Sequence, residues 1–399
     1  MRKNGSGASK PKPKKKNRLI RVVAVILGLL IGIFGFLLWY KHHLFSKIAM
    51  PTTDVTVLDE NGNKIDFGKL HTDIRNDLPN FDEGVKNFLL IGVDSRTKEL
   101  PKDGKALSDV IMVMSIDSKK GTMKLMSIAR DSYAYVPGFE SKPRKINAAM
   151  SLGGPDTLMA TVMDTLQIDI DGYAYINFYN MIDVIDAVGG VTVNVTSDEL
   201  THQAGLNDNL ASINKGEGLP ADKDRVTQTG DVVLNGRQAV AYARIRHVDN
   251  DYYRSARQVE VLNSLMSSFM KLSKIDKANC LGTIIESELI KTNISEKDIT
   301  KYALEIVPSL DNPEIQYLSL PLQHLEGLND AQFTGSFFNG GNFGNEWSIR
   351  NNWNATIPYV QDYFYGERKE FERVQDIPNA PTDDQCPKDV KVEDFIQHK

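Results

Sequence analysis

The longest uncharged stretch of the chain runs from Val22 to Tyr40 and reads VVAVILGLLIGIFGFLLWY. At about 1.5 Å of rise per residue it makes roughly 29 Å of helix, which matches the hydrocarbon thickness of a bilayer. The alternative is a cleaved signal peptide, whose apolar region is shorter and ends at a small-residue cleavage site. Here the run ends in bulky Trp39 and Tyr40, which suit a membrane interface. The sequence therefore favours an uncleaved transmembrane anchor.

The charge of the chain differs sharply on the two sides of this run. Residues 1–21 hold nine Lys and Arg and no acidic residue, which places the N-terminus in the cytoplasm and the main body outside the cell. The other 378 residues hold 38 basic and 52 acidic side chains. Such an acidic body is unsuited to neutralising a phosphate backbone, so no nucleic-acid partner is expected.

Composition and charge divide the chain into consecutive parts. The predicted parts are a basic cytoplasmic tail (1–21), the anchor (22–40), a polar extracellular stem with one small hairpin (41–80), a dense domain (81–272), a C-terminal extension packed on that domain (273–370) and a flexible tail (371–399). A disulfide scaffold is excluded because Cys280 and Cys386 are the only cysteines. Whether these two pair stays open.

The dense domain alternates short apolar strands with helical segments. Strands are predicted at 87–93, 110–116, 123–129, 173–179, 191–195 and 239–246, and helices from Gly153-Gly154-Pro155, over 180–188 and over 253–272. The polar stretch 197–230 is expected to be a long excursion. The pattern predicts an α/β fold, a layered α-β-α domain with a mixed central sheet, preceded by one transmembrane helix.

An acidic constellation is predicted at one edge of this sheet. Asp94 ends the first strand, Asp109 begins the second, and Arg130 follows the third. In antiparallel neighbours these positions meet at the same rim. Two carboxylates beside a cation suit a Mg²⁺ site for a phosphorylated substrate. The alternative is that both aspartates are ordinary turn and cap residues.

A basic constellation follows later in the chain. Arg244 and Arg246 are two residues apart on a predicted strand and so share a face with Tyr242. Arg254, Arg257 and Gln258 open the next helix. Guanidinium groups and a helix N-terminus both suit phosphate oxygens. The alternative is that these residues form salt bridges on a solvated face. This alternative applies most readily to Arg257.

The helix that follows carries an apolar stripe with helical spacing. Its members are Val259, Leu262, Leu265, Met266, Phe269 and Met270. Such a stripe usually belongs to the core, and the alternative is that part of it forms the wall of a groove for a lipid tail.

Six strings together resemble the LytR–CpsA–Psr family of bacterial cell-envelope phosphotransferases. They are FLLIGVDSR (88–96), SDVIMVMSID (108–117), LMSIARDSYAYVPG (125–138), KINAAMSLGG (145–154), AVGGVTV (187–193) and LNGRQAVAYARIRHVDNDYYRSARQ (234–258). The resemblance implies an enzyme that transfers an undecaprenyl-pyrophosphate-linked anionic glycopolymer (teichoic acid, capsule or a related wall polysaccharide) to peptidoglycan. The protein would then lie at the cytoplasmic membrane of a Gram-positive-type envelope.

The resemblance also implies roles for individual residues. Asp94 and Asp109 match the Mg²⁺-associated aspartates, with Mn²⁺ as the alternative ion, and Asp94 is open to a second role as a base. The positions that match pyrophosphate-binding residues are Arg130, Arg244, Arg246, Arg254 and Gln258, with Arg96, Arg257 and Lys145 as further members. Of these, Arg130, Arg244 and Arg246 are the expected catalytic residues together with Asp94. Hydrolysis of lipid pyrophosphates and a non-catalytic regulatory role are the alternative functions.

Overall fold

A computed structural model describes residues 42–50, 56–82, 84–93, 100, 106–246, 251–305, 315–322, 336–343, 346–387 and 390–396. Among the helices within these ranges, none is both long enough and apolar enough to cross a bilayer. The predicted anchor at 22–40 lies outside the described residues, as do Asp94 and Arg96.

A mixed six-stranded sheet forms the centre of the fold, in the order β10-β3-β2-β1-β6-β9. The strands of the chain are β1 (Val85–Val93), β2 (Ser108–Asp117), β3 (Thr122–Ile128), β4 (Tyr133–Ala134), β5 (Arg144–Lys145), β6 (Gly172–Asn177), β7 (Val191–Val195), β8 (Gly230–Leu234), β9 (Lys291–Thr292), β10 (Ile315–Leu320), β11 (Phe338–Phe343) and β12 (Glu346–Asn351). β2 is antiparallel to β1 and β3, whereas β6 is parallel to β1 and β10 is parallel to β3. The first three predicted strands are confirmed, and a hairpin joins the second to the third.

Helices cover both faces of the sheet. They are α1 (Phe67–Asp77), α2 (Ala148–Leu166), α3 (Phe178–Ala187), α4 (Ser197–Thr201), α5 (Leu206–Gly216), α6 (Gly236–Ala243), α7 (Asp251–Lys271), α8 (Lys274–Glu286), α9 (Glu296–Glu305) and α10 (Trp353–Tyr365), with further helical turns at 42–48 and Val392–Phe395. Leu89 and Ile91 face α2, whereas Phe88 and Leu90 belong to apolar clusters that include side chains of α7. This alternation explains why residues 88–93 of β1 are apolar on both faces, since neither face of a strand covered on both sides is open to solvent.

The helix α2 begins earlier than the sequence predicts. It starts at Ala148 and contains a kink at Gly153 and Gly154, where the backbone leaves helical geometry before Pro155 restarts the helix. Gly154 has φ = 78°, a conformation that glycine adopts without steric strain.

Two predictions between residues 197 and 246 are wrong. The excursion at 197–230 contains α4 and α5, which pack into a second apolar cluster with α3 and α6. The segment 239–246 is not a strand, because α6 runs from Gly236 to Ala243. Asn235 caps this helix and forms a capping box with Gln238, a signal that outweighs the apparent alternation of AVAYARIR.

The C-terminal part is more integral to the domain than an extension packed on it. β9 and β10 are the two edge strands of the central sheet. Beyond α10, the expected flexible tail is wrong for the described residues, because Ile377, Cys386 and Phe395 are buried in the main core. The buried side chains of this segment are far apart in sequence and separated by polar residues. Their spacing matches neither the period of a helix nor that of a strand, so the sequence gives no sign of their burial.

The stem also packs on the domain from residue 56 onward. Its predicted hairpin is present as a tight turn, in which the Asp59 amide donates to the Asn63 carbonyl. The following helix α1 was missed, and it contacts α2, with His71 Nε2 2.9 Å from the carbonyl oxygen of Asp156. Cys280 and Cys386 are both buried and unpaired with each other, and they belong to different apolar clusters.

Candidate active site at the rim of the sheet

The topology brings several strand ends to one rim of the sheet. β1, β3, β6 and β10 all end there, and β2 begins there, because β2 runs opposite to its neighbours. The β1–β2 register shifts at Gly92 and Val93: Gly92 pairs with Val110 and Val93 with Ser108, so Asp109 is the extra residue of a bulge. Such a bulge redirects a side chain at the end of a strand.

Asp109 and Arg130 meet at this rim, as predicted. Arg130 Nη1 donates to Asp109 Oδ1, and Arg246 Nη2 lies 3.6 Å from the same oxygen. The Arg130 Nε lies 3.5 Å from Asp131 Oδ2, and Lys145 Nζ lies 2.8 Å from Asp131 Oδ1. Two carboxylates therefore hold Arg130 from different sides, and Lys145 balances the charge of Asp131. Lys145 thus supports the site through Asp131.

Two cavities meet at Asp109. The rim cavity has a volume of about 290 Å³, and its polar lining residues include Asp109, Arg130, Asp131, Arg254 and Gln258. The arginine cavity has a volume of about 270 Å³ and is lined by Asp109, Phe178, Ala204, Asp208, Asn209, Ser212, Ala243, Arg244, Arg246, Arg254 and Gln258. Asp109, Arg254 and Gln258 line both cavities. The described residues of the acidic and basic constellations therefore share one site, with the exception of Arg257.

Arg244 and Arg246 reach the arginine cavity by a different route from the predicted strand. Arg244 caps the C-terminus of α6, and its guanidinium carbon lies 5.3 Å from the centre of the Phe178 ring, a cation–π contact. Tyr242 does not accompany them, because its ring is buried and its hydroxyl donates to Glu260 Oε2 at 2.9 Å. Burial and the neighbouring carboxylates raise the pKa of Tyr242 well above its usual range.

Arg254 and Gln258 lie four residues apart on α7, so they share one face of that helix. Arg254 is 5% exposed, although it lines both cavities. A guanidinium that is shielded from solvent binds an anion more strongly than one in bulk water would.

Arg257 is the exception among the predicted phosphate ligands. It is 4% exposed and lines neither cavity; its Nη1 lies 3.1 Å from Glu199 Oε1, and its Nη2 donates to the Ile245 carbonyl at 3.0 Å. These contacts join α7 to α4 and to the segment after α6. Arg257 is therefore salt-bridged, as the alternative expects, and its contact with pyrophosphate stays a prediction that these contacts do not favour.

A third cavity, almost entirely apolar, adjoins the first two. This apolar cavity has a volume of about 290 Å³ and lies between the sheet, α3 and α7. It shares Gln258 with both other cavities, and Phe178 and Ala243 with the arginine cavity. Leu262 and Leu265 of the predicted stripe line it, whereas Val259, Met266 and Met270 pack against the sheet. The core interpretation therefore holds for Val259, Met266 and Met270, whereas a lipid groove at Leu262 and Leu265 stays a prediction.

Comparison with known proteins identifies the family of this chain. The model of the LytR_cpsA_psr family matches residues 53–342. The chain belongs to this family.

Individual LytR_cpsA_psr relatives are similar over most of the chain. Polyisoprenyl-teichoic acid–peptidoglycan teichoic acid transferase TagV of Bacillus subtilis (strain 168) is 32% identical over 285 residues, 69% of this chain and 63% of TagV. The TagU transferase of Bacillus licheniformis is 28% identical over 72% of this chain and 82% of its own length. The crystal structure of B. subtilis TagV has a TM-score of 0.51 at 27% identity, covering 71% of this chain and 98% of that one.

A further solved structure is that of TagT bound to LIIa-WTA. It has a TM-score of 0.52 at 25% identity, and the match covers 72% of this chain and 94% of TagT. The central mixed sheet described above is thus the LytR_cpsA_psr fold.

Several residues at the site carried no signal in the sequence. Asp208, Asn209 and Ser212 come from the stretch that was predicted to be an excursion, and Phe338 and Trp347 come from the β11–β12 hairpin. Trp347 lies beyond the segment matched by the LytR_cpsA_psr family model. These side chains lie at least 78 positions along the chain from Arg130 and Asp109, so no local spacing relates them.

Proposed function

We propose that this protein is a membrane-anchored phosphotransferase that attaches an undecaprenyl-pyrophosphate-linked anionic glycopolymer to peptidoglycan. One observation carries the proposal: an apolar cavity adjoins a cluster of guanidinium groups, with Gln258 lining both. A polyprenyl pyrophosphate has a matching structure, because its apolar tail is joined directly to a highly charged pyrophosphate. The names of the TagT, TagU and TagV relatives support a polymer of the teichoic acid type.

The substrate is placed by matching its parts to these cavities. The polyprenyl tail lies in the apolar cavity, between the sheet and Leu262. The pyrophosphate then lies where the arginine and rim cavities meet, among Arg130, Arg244, Arg246 and Arg254. Arginine suits this position because its planar donors pair with phosphate oxygens.

The proposed reaction is a displacement at phosphorus. A peptidoglycan hydroxyl oxygen attacks the phosphorus that carries the sugar, and the bond from this phosphorus to the bridging oxygen breaks. The bridging oxygen leaves with the electron pair on undecaprenyl phosphate, and a carboxylate at the rim accepts the hydroxyl proton, for which Asp94 is the candidate. Arg130 and its neighbours neutralise the charge that develops on the phosphate oxygens. Asp109 and Asp131 hold Arg130 in position before the substrate arrives.

A divalent cation is part of this proposal. Mg²⁺ commonly uses one or two carboxylates together with substrate phosphates. Within the described ranges no group of three or more His, Cys, Asp or Glu is placed to hold a metal, so a site made by protein alone does not fit them. A site completed by substrate fits, because Asp109 lines both cavities, and Val93, which precedes Asp94, pairs with Ser108, which precedes Asp109.

We therefore assign Asp109 to Mg²⁺, with Mn²⁺ as the alternative ion, and Asp94 either to the same ion or to the role of base. When bound, the ion would add positive charge beside the phosphate oxygens and so help to neutralise them.

The cellular position follows from the substrate and the N-terminal sequence. The run 22–40 anchors the protein in the cytoplasmic membrane, and the domain lies outside the cell with peptidoglycan. An anchor raises the effective concentration of an enzyme whose donor is itself a lipid.

The test is transfer by the full-length protein in detergent from a short-chain prenyl-pyrophosphate glycan to peptidoglycan. Arg130→Ala and Arg244→Ala are expected to lower the transfer rate by about 100-fold or more, because each removes charge neutralisation from the transition state. Their thermal unfolding should stay near that of the wild type. Arg75→Ala is the matched control, since Arg75 also pairs with a carboxylate, Asp169, and lines neither cavity.

The products separate this function from its alternatives. Free glycan phosphate without attachment to peptidoglycan would indicate a hydrolase instead. Normal attachment by both arginine variants would contradict the assigned site. Full function in cells of an Asp94→Asn/Asp109→Asn double variant would point to a regulatory role without catalysis.

A further inference from the structure

Two aromatic side chains line the rim cavity together with the arginines, and nothing in the proposed chemistry of phosphate transfer requires them. They are Phe338 and Trp347, which line the cavity with Ile349, and all three residues come from the β11–β12 hairpin. Trp347 is 46% exposed. A large exposed aromatic side chain beside a reactive site is a frequent mark of a ligand-binding surface.

The hairpin is fixed to the segment that follows Arg130. The Ile349 amide donates to the Asp131 carbonyl at 3.0 Å, and Ile349 forms a bridge with Ser132. The guanidinium carbon of Arg350 lies 3.4 Å from the centre of the Tyr133 ring. The position of Trp347 relative to Arg130 is therefore set by backbone pairing and not by a free loop.

The register of the hairpin turns Trp347 toward the cavity. Trp347 and Ile349 are two residues apart on β12, so they share a face, whereas Ser348 and Arg350 occupy the opposite, buried face. Gly340 lies beside the indole, since a Cβ built on it would be 3.7 Å from Trp347 Cζ2. The ring thus rests along a glycine of the neighbouring strand and keeps an accessible surface at the mouth of the cavity.

The other lining residues of the cavity are mostly apolar, and Ser319 and Asp131 add a hydroxyl and a carboxylate beside the aromatic side chains. A sugar ring has the matching chemistry, with an apolar face of C–H groups that packs on an aromatic ring and hydroxyls that pair with polar side chains. A second prenyl segment is a poorer match, because the apolar cavity already supplies a nearly nonpolar site for it.

We propose that Trp347 and Phe338 form a stacking platform for a sugar ring in the rim cavity, directly beside the transferred phosphate. This inference rests on the proposed function and names the saccharide-binding surface of that site. The ring is either the first sugar of the donor glycan or the acceptor sugar of peptidoglycan, and the two sources share the chemistry that the platform recognises.

The kinetic test uses three substitutions of Trp347 in the full-length protein. Trp347→Ala is expected to raise the KM for one saccharide substrate roughly tenfold, the size of one lost aromatic contact, with kcat changed much less. Trp347→Phe should restore most of the affinity, whereas Trp347→Leu, which keeps bulk without an aromatic face, should not. Leu58→Ala is the control, because Leu58 is similarly exposed at 49% and lines none of the cavities described above.

A rise in the donor KM assigns the platform to the donor glycan, and a rise in the acceptor KM assigns it to peptidoglycan. Unchanged KM values for both substrates in Trp347→Ala would overturn the proposal. Equal rescue by Leu and Phe would also overturn it, since simple packing would then suffice.

A binding measurement separates this inference from the proposed function. The chain has three tryptophans, so the fluorescence difference between the wild type and Trp347→Phe isolates Trp347. A soluble peptidoglycan disaccharide and a short-chain prenyl-pyrophosphate sugar are titrated separately. A saturable change with either probe supports the platform even if the wild type transfers no polymer. No change with either probe contradicts it even if transfer proceeds.

Discussion

Asp164 is a carboxylic acid that the fold shields from water, and this burial changes its pKa. Asp164 lies near the end of α2, in a cavity that Glu140 and Glu372 also line. Burial, reinforced by the negative charges of Glu140 and Glu372, raises the pKa of Asp164 to about 6. The native state therefore binds more protons than the unfolded state between about pH 4 and pH 6. The free energy of unfolding must fall as pH rises through this range and stay lowered above it.

We predict that Asp164→Asn stabilises the protein at neutral pH. The gain in the free energy of unfolding should reach at most about 3 kcal/mol at pH 7.5 and become small near pH 4, where Asp164 is protonated in the native state and about half protonated in the unfolded state. Urea unfolding at both pH values measures it. Asp222→Asn controls for the loss of a charge, since Asp222 is exposed. An equal gain at both pH values would show that ionisation is not the cause.

Single residues also mark the limit of what the sequence predicts about the site. Arg254, Arg257 and Gln258 all lie near the N-terminus of α7, yet only Arg254 and Gln258 line the cavities. Arg257 points elsewhere because Glu199 is buried beside it. Glu199 belongs to a helix whose existence the sequence did not predict, so its partner could not be predicted either.

At the scale of elements, the apolar strands were predictable and the helices of the second cluster were not. β1 and β2 contain the short apolar runs FLLIGV (88–93) and VIMVM (110–114), whose length and bounding turn residues favour buried strands. In contrast, α6 is short, and its apolar residues mimic the alternation of a strand. Its alanines favour a helix, and the capping box formed by Asn235 and Gln238 is the sequence signal that distinguishes a helix from a strand here.

The apolar cavity is also a property of elements, since it forms between the sheet, α3 and α7. Ala174 of β6 lines it and is not fully buried, so a larger side chain at this position would project into it. We predict that Ala174→Phe raises the KM for long-chain prenyl donors severalfold, because the ring occupies volume that the tail needs. Short-chain donors should be used nearly as well as by the wild type. A series of donors of increasing chain length measures the effect, and a uniform loss with every donor would contradict it.

At the scale of the whole molecule, the domain includes more of the chain than either the sequence pattern or the family match indicates. The match ends at residue 342, whereas Trp353 and Tyr363 of α10 are in the main core. The segment after α10 is held by polar contacts as well: the side-chain amide of Asn354 donates to the Val374 carbonyl at 2.9 Å. These contacts join positions that show no common period, which is why a flexible tail was predicted.

The helical turn Val392–Phe395, the last one among the described residues, completes this core. Phe395 is 3% exposed and packs edge-on against Phe337 and Tyr359, with ring centres 5.9 and 5.8 Å apart. We predict that Phe395→Ala lowers the free energy of unfolding by about 3–5 kcal/mol, because it leaves a cavity among aromatic rings. Thermal and urea unfolding of the full-length variant measure the loss.

A stop codon after residue 370 should have a larger effect than Phe395→Ala, because it also removes the buried side chains of Ile377, Cys386 and Val392. Exposed Glu370→Ala is the matched control and should leave stability unchanged. If the chain that ends at 370 unfolded with wild-type stability, residues 371–396 would be an appendage. The arginine cavity, which receives no residue from this segment, would then be independent of it. The burial of Phe395 in the core that supports β3 leads us to expect the opposite: loss of the segment destabilises the sheet, and transfer activity falls together with folding.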